Sequence, residues 1–225
     1  MTKPIQINFR TAQFTPLSSG ALWWRDERML VVSDLHMGKS GRIARRGGTL
    51  LPPYDTGETL TRLETDIAHH APRRVLCLGD SFDDDLVMDE MDALTRAQLS
   101  ALMAGRDWLW VEGNHDPGPV PLGGQSMAEV GIGGLRFRHI AQRETVPGEV
   151  SGHWHPKAGI TLRHRRVSSP CFLHDDTRLI LPAFGAYTGG LDVTAAPLRA
   201  LFPGPAQVVL TRAPEKSIPL SICTA

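Results

Sequence analysis

Short hydrophobic runs alternate with polar segments through the first half of the chain. Residues 28–33 (RMLVVS), 75–78 (VLCL) and 108–111 (WLWV) are apolar enough to predict buried strands. The segments between them, at 55–70 and 89–104, carry hydrophobic residues at helical spacing. Strands and helices that alternate in this order predict right-handed crossovers and a parallel sheet.

The sequence also predicts how the two helices begin and which faces they bury. A capping box formed by Asp55 and Glu58 is expected to start the first helix, and Pro72 to stop it. The residues expected to face the core are Leu60, Leu63 and Ile67 in the first helix, and Met91, Leu94, Ala101 and Leu102 in the second.

Helical periodicity fades after residue 117, and the second half of the chain is rich in predicted strands. These strands lie at 135–139, 148–152, 178–181 and 207–211. A mixed α/β sandwich of two sheets fits this arrangement better than a doubly wound sheet. Because α/β domains of 225 residues often stay single, we expect one domain over residues 1–225.

Charge and cysteine content narrow the possible functions. The formal net charge is zero, so no global positive field attracts nucleic acid, and nine histidines favour metal or acid–base chemistry. The three cysteines have no paired spacing, which favours a reducing compartment. We find neither an N-terminal signal peptide nor an 18-residue apolar stretch, and therefore expect a soluble cytoplasmic protein without a membrane span.

Potential metal ligands follow three consecutive predicted strands. These segments are Asp34-Leu35-His36, Gly79-Asp80 and Gly113-Asn114-His115-Asp116. Ligands of open α/β sheets lie at the carboxyl ends of the strands, so the three loops are expected to meet. Residues two apart in an extended segment point the same way, which would let Asp34 and His36 hold one ion.

The second half adds imidazoles to this set. His153 and His155 share one side of an extended segment, and His139 ends a predicted strand. The candidate ligands are then Asp34, His36, Asp80, Asn114, His139, His153 and His155. Seven oxygen and imidazole ligands are too many for one ion and suit two divalent ions about 4 Å apart, with Mn²⁺, Fe or Zn²⁺ preferred over Ca²⁺. His115 could act as general acid, oriented by Asp83 or Asp116.

The ordered motifs DLH, GD, GNHD, a lone histidine and GHWH span residues 34–155 and resemble the calcineurin-like metallophosphoesterase superfamily. The resemblance implies a four-layer α/β/β/α sandwich of two mixed β-sheets flanked by helices. It also implies that Asp34, His36, Asp80 and His155 bind one ion. The second ion would be bound by Asp80, Asn114, His139 and His153.

Three longer stretches are similar to the bacterial ligase-associated DNA-repair phosphoesterases, the PdeM-type group. They are RRGGTLLPPYDTGETLTRLE, LGDSFDD and LPAFGAYTGGLDV. This resemblance implies hydrolysis of DNA phosphodiesters, with Mn²⁺ as the first choice of metal. It also implies an ATP-dependent DNA ligase, a helicase and a β-lactamase-fold exonuclease as partners. Asp83 stands where that group usually has a histidine.

Several alternatives for substrate and role remain open at the level of sequence. Arg45 and Arg46, with Arg42, could contact substrate phosphates, or could belong to a solvated loop. The basic run at 163–166 could track a DNA backbone or be a solvated face. The substrate could instead be a small phosphodiester, a cyclic nucleotide or a phosphomonoester. A DNA-repair scaffold with little catalysis is the alternative of another class.

Overall fold

A seven-stranded sheet forms the first half of the protein in the computed structural model, which describes residues 4–144, 146–162, 165–214 and 216–224. Its strands are β1 (Ile7–Phe9), β2 (Ala12–Pro16), β3 (Leu22–Trp24), β4 (Met29–Val32), β5 (Arg74–Leu78), β6 (Asp107–Val111) and β7 (Gln125–Met127). They lie side by side in chain order. The first four pair antiparallel because short turns join them, and β4 to β7 run parallel.

The helices connect the parallel strands and flank the sheets. They are α1 (Lys39–Arg45), α2 (Asp55–His70), α3 (Val87–Glu90), α4 (Ala93–Met103) and α5 (Ala196–Leu201), with a 3₁₀ turn at Leu220–Ile222. The predicted parallel core of three buried strands with helical crossovers is confirmed. No helix in the described ranges is long and apolar enough to cross a membrane.

A second, nine-stranded sheet is built from the rest of the chain. Its strands are β8 (Glu129–Ile132), β9 (Leu135–Arg138), β10 (Glu149–Ser151), β11 (Pro156–Leu162), β12 (Arg165–His174), β13 (Arg178–Ile180), β14 (Leu191–Asp192), β15 (Gln207–Leu210) and β16 (Ser217–Pro219). The order is β14-β11-β12-β13-β10-β9-β8, with β15 paired to β12 and β16 paired to β15. Because β9, β10 and β13 run parallel, their carboxyl ends share one edge.

Three hydrophobic clusters show how the layers are stacked. Alternate residues of β4, such as Met29 and Val31, pack between the two sheets, while Leu30 and Val32 face α2 and α4. The outer face of the second sheet packs with Leu198 and Leu201 of α5. The resulting order of layers is α/β/β/α, which confirms the predicted fold class.

The expected helix at 89–104 was wrong in detail. The extended backbone of Met91 ends α3, and the next residue, Asp92, starts α4, where its carboxylate accepts hydrogen bonds from the first amides of the helix. This restart sets a new helical phase, so Leu99 and Leu102 are buried while Ala101 is exposed and Leu94 is 80% exposed.

The predicted capping box of α2 was also wrong. The N-cap residue is Tyr54, and Asp55 lies inside the first turn. Its carboxylate instead accepts hydrogen bonds from the Ser40 amide and hydroxyl. A tertiary contact between α2 and α1 therefore replaces the expected local cap.

Candidate metal centre

The seven candidate ligands lie on five loops that meet at one edge of both sheets. The loops follow β4, β5 and β6 in the first sheet and β9 and β10 in the second. Backbone hydrogen bonds join neighbouring loops: the Asp34 amide donates to Gly79 O, the His36 amide to Asp80 O, and the Gly152 amide to His139 O. The carboxyl ends of parallel strands thus bring together residues far apart in the chain.

Asp34, His36 and His155 form the first group of facing side chains. One potential ligand atom from each lies within 4.8 Å of the others. His155 Nε2 lies 3.0 Å from Asp34 Oδ1. The other carboxylate oxygen of Asp34 accepts hydrogen bonds from the Ser33 hydroxyl and the His153 amide, which fix its orientation.

Asp80, His139 and His153 form the second group, again with ligand atoms within 4.8 Å of one another. His139 Nε2 lies 3.3 Å from Asp80 Oδ2 and 3.2 Å from His153 Nδ1. Asn114 joins this group, because its Oδ1 lies 3.0 Å from His139 Nε2.

The Asp80 carboxylate lies between the two groups. Its Oδ2 atom is 3.3 Å from His139 Nε2 in one group and 3.9 Å from His36 Nε2 in the other. Its Oδ1 atom accepts a hydrogen bond from the His115 amide. A carboxylate in this position can bridge two cations, so the structure brings all seven predicted ligands together around a shared residue.

The nitrogen atoms that face this space fit metal ligation. His139 Nδ1 donates to the Leu78 carbonyl at 2.9 Å, so Nε2 is the ring nitrogen that faces the oxygens of Asp80 and Asn114 and could bind an ion once it loses its proton. The Nε2 atom of His36 is buried without a hydrogen-bond partner among the described residues, and His155 Nε2 faces Asp34 Oδ1. Nitrogen and oxygen atoms this close need a proton or a metal ion between them, and this donor set suits Mn²⁺, Fe or Zn²⁺.

Backbone strain is concentrated at these ligands. Nine non-glycine residues in the described part of the chain have positive φ, and five of them are candidate ligands. These are Asp34, His36, Asp80, His153 and His155, with φ between 44° and 66°. Each such conformation costs on the order of 1–3 kcal/mol and persists only where the surroundings enforce it, which is typical of functional sites.

Glycines in the sequence motifs permit the close packing of the loops. A Cβ at Gly113 would lie 2.1 Å from the Asp80 amide nitrogen, and one at Gly152 would lie 1.7 Å from Ser33 Oγ. Gly79 has φ +75° and packs against the His139 ring. Each glycine precedes a candidate ligand or lies under one, so the motifs encode loop contact as well as ligand identity.

The charges of the two groups stabilise each other. Burial raises the pKa of Asp80, but the hydrogen bond and charge of His139 outweigh it and hold the pKa well below its usual range. Burial lowers the pKa of His139, yet the Asp80 hydrogen bond and the charge of Asp34 raise it to about 9. Burial, and then the charge of His139, lowers the pKa of His153. The carboxylates are therefore ionised at neutral pH, and His139 is protonated on both ring nitrogens.

His115 lies at the edge of the groups and is half-buried. Its Nδ1 atom donates to the Asp83 backbone carbonyl at 2.9 Å, which leaves Nε2 to contact a substrate. The ring packs edge-on against His36, with centroids 5.1 Å apart. This position is compatible with the predicted acid role.

The side chains of Asp83 and Asp116 differ from expectation, because neither carboxylate is found on the His115 ring. The Asp83 carboxylate is fully buried and lies 2.6 Å from His36 Nδ1 and 2.8 Å from Arg42 Nη1. The hydrogen bond between Asp83 and the His115 ring is made by the main-chain carbonyl, while a carboxylate oxygen lies within 4.8 Å of a ring nitrogen of His115. The Asp116 carboxylate accepts backbone hydrogen bonds from residues 80–82 and from Gly113. It therefore shapes the loop that carries Asp80.

Arg45 and Arg46 lie at the end of α1 and are exposed. Arg45 forms ion pairs with Asp84, at 2.6 Å, and with Glu90, so its guanidinium is already engaged within the protein. Arg46 follows it at the helix C-cap. The side chains of the basic run at 163–166 lie outside the described part of the chain.

A buried ion-pair network behind His139 was missed by sequence reasoning. Glu149 accepts a hydrogen bond from the Gln142 amide, and Arg178 donates to the Gln142 carbonyl. Glu149 also lies near Arg138 and Arg178, and all three side chains are buried. The network anchors the segment that follows His139. Its only sequence signal is three charged residues inside predicted strands.

The fold and the His/Asp groups define the class as an α/β/β/α protein with a candidate dinuclear metal centre. The chain is similar to the crystal structure of Pseudomonas putida nuclease MPE, with a TM-score of 0.72 and 28% sequence identity. The similarity covers 96% of this chain and 99% of that chain. No protein-family model and no curated protein matches the chain.

Proposed function

We propose that the protein is a two-metal phosphodiesterase that cleaves DNA. The observation that carries this proposal is the convergence of two His/Asp groups on a shared Asp80 carboxylate. The likeness to a nuclease over nearly the full length of both chains supports the same class. Together they support a metal-dependent nuclease or phosphoesterase, and the DNA substrate is our finer proposal.

The two groups would hold one divalent ion each, with Asp80 shared and Asn114 completing the second group. When bound, such ions stabilise the attacking and leaving oxygens of an in-line displacement at phosphorus. Asn114 contributes an oxygen without adding negative charge. Mn²⁺ is our first choice, and Fe or Zn²⁺ would suit the same donors.

His115 would protonate the leaving oxygen. The Asp83 carbonyl holds Nδ1 as a donor, so a protonated ring has its second N–H on Nε2. A histidine beside the metal ligands can act as a general acid. Asp83 would position His36 by its carboxylate and His115 by its carbonyl, and Asp116 would position Asp80.

We further propose a role in bacterial DNA repair, in the cytoplasm. The resemblance to the ligase-associated phosphoesterases supports it, and implies an ATP-dependent DNA ligase, a helicase and a β-lactamase-fold exonuclease as partners. Arg46 is the better candidate for a phosphate contact, because Arg45 already pairs with Asp84 and Glu90.

The first test is Mn²⁺-dependent hydrolysis by the wild type and by His115→Ala. Bis-p-nitrophenyl phosphate, p-nitrophenyl phosphate, a 2′,3′-cyclic nucleotide and end-labelled single- and double-stranded DNA are offered in parallel. The control is His69→Ala, which changes an exposed histidine on α2. We expect DNA cleavage by the wild type and the control, and its loss in His115→Ala.

Turnover of small esters with intact DNA would refute the nuclease proposal and favour the small-substrate alternative. The scaffold alternative is tested with Asp80→Ala in cells. If DNA repair survives that change, the protein acts by binding rather than by catalysis.

A further inference from the structure

The loop between β13 and β14 is hydrogen-bonded at both ends to the loops that carry the first group of ligands. It enters with the Phe184 amide donating to Ser33 O and the Gly185 amide donating to Asp34 O at 3.0 Å. It leaves with the Leu191 amide donating to His155 O at 3.0 Å. Both ends therefore bond to the backbone of ligands in the first group, and residues 186–190 form the arch between them.

The glycines at the two ends of the arch, Gly185 and Gly190, are in close contact with the loops that carry the ligands. A Cβ at Gly185 would lie 2.0 Å from Leu35 O, and one at Gly190 would lie 2.5 Å from His155 O. The Ala186 amide donates to Thr59 Oγ1 of α2. These contacts hold the arch in a fixed place relative to Asp34 and His155.

Tyr187 lies in this arch with a backbone conformation that is unfavourable for a residue with a large side chain. Its φ is +60°, in the left-handed region, although glycines follow at 189 and 190 in the same loop. A bulky residue is a genuine outlier there, and strain of this kind is found at functional sites. The side chain is 40% exposed, so part of the ring is open to contact from solution.

Chain geometry limits how far Tyr187 can be from the centre. Two residues span at most about 7 Å, so its Cα lies within that distance of the Gly185 Cα, whose amide bonds to Asp34. The backbone of Tyr187, which carries a partly exposed aromatic ring, is thus held close to the first group of ligands. Trp154 is a poorer candidate for contact with substrate, because it packs into the third hydrophobic cluster and edge-on against His153.

We propose that Tyr187 is a nucleobase-stacking subsite next to the metal centre, and this inference rests on the proposed DNA phosphodiesterase function. Every base has a π-face, so the ring would bind a nucleotide flanking the cleaved phosphate without reading sequence. The zero net charge makes such a contact useful, since no global field holds the DNA.

The test compares Tyr187→Phe, Tyr187→Ala and Tyr187→Gly on single-stranded oligonucleotides in Mn²⁺. One oligonucleotide is intact, and the others carry a single abasic residue at successive positions around the cleavage site. We expect Tyr187→Ala and Tyr187→Gly to lower kcat/KM on the intact strand about tenfold, and Tyr187→Phe to keep it. On the strand that lacks the stacked base, wild type and variants should cleave at the same rate.

Two further readouts separate stacking from a structural role. Tyr187→Gly relieves the strained φ, so its Tm should equal or exceed that of the wild type. Tyr54→Ala, at the other tyrosine of the chain, should cleave every strand as the wild type does.

Equal losses on intact and abasic strands, or a lower Tm for Tyr187→Gly, would overturn the stacking subsite. If no variant and no wild type cleaves any oligonucleotide while bis-p-nitrophenyl phosphate is hydrolysed, the nuclease proposal itself fails. The two failures are therefore distinguishable.

Discussion

Asp83 contacts three parts of the candidate centre: His36, helix α1 and His115. Its carboxylate contacts His36 and the cations Lys39 and Arg42 of α1, and its carbonyl accepts from His115. Burial raises its pKa, but the contacts with His36 and Arg42 outweigh it and hold the pKa well below its usual range. A carboxylate on the far nitrogen of a metal-ligating histidine fixes the orientation of the ring.

We expect Asp83→Asn to weaken Mn²⁺ binding by 10- to 100-fold, on the order found for such supporting contacts. Calorimetric titration of the purified protein measures this change. Asp84→Asn is the matched control, because Asp84 pairs with Arg45 and contacts no candidate ligand. Unchanged Mn²⁺ affinity with a shifted pH–rate profile would mean that Asp83 serves His115 instead.

His139 sets how metal affinity depends on pH. Its pKa of about 9 in the metal-free protein means that an ion binding below pH 9 displaces a proton. The Asp34 and Asp80 carboxylates have lowered pKa values and are already ionised, and the lowered pKa values of His36 and His153 leave those rings neutral near pH 8.

Metal binding at pH 8 should therefore release about one proton, and the affinity should fall about tenfold for each pH unit lost between pH 9 and 7. Calorimetry in two buffers of different ionisation enthalpy counts the proton. A result of zero protons would show that His139 is not a ligand.

The loops that carry the ligands depend on glycine for their mutual packing. Gly113→Ala would place a methyl group against the Asp80 amide nitrogen and its carboxylate. These atoms belong to a strained loop, which cannot move away from the added methyl group without displacing Asp80. We expect loss of Mn²⁺ binding together with a lower Tm, measured by calorimetry and thermal melting. Gly118→Ala, where a Cβ meets nothing within 4 Å, should behave as the wild type in both experiments.

The parallel half of the first sheet and its ligand-bearing loops could be predicted because their signals are local. Apolar runs mark β4, β5 and β6, and polar residues follow each run directly. The antiparallel strands β1 to β3 were not predicted, since they are short and their pairing depends on tertiary contact. The division of the 89–104 helix at Asp92 depends on a cap that the hydrophobic pattern hides.

The roles of supporting side chains were harder to predict than the ligands themselves. Asp83 and Asp116 lie close to His115 in the sequence, yet their carboxylates reach His36 and the backbone of residues 80–82. Which neighbour a side chain contacts is decided by how the loops cross, and sequence spacing does not record that. The Glu149 and Arg178 network is of the same kind.

At the scale of the whole molecule, strained backbone and buried ionised carboxylates are concentrated at one edge, where bound cations would stabilise them. Five ligands have positive φ, and the imidazole and carboxylate groups face each other across the junction of two sheets. The strained backbone where the two sheets meet lowers the free energy of unfolding, and bound ions would raise it again. The central proposal is that seven side chains would hold two ions, with Asp80 shared.

Anomalous diffraction at the manganese edge, from crystals grown with Mn²⁺, tests this claim most directly. We predict two peaks, one among Asp34, His36 and His155 and one among Asp80, His139 and His153, with the Asp80 carboxylate between them. A third set of potential ligands, His36, Asp83 and His115, offers a distinct alternative position. A single peak, or a peak in that third set, would contradict the two-ion centre.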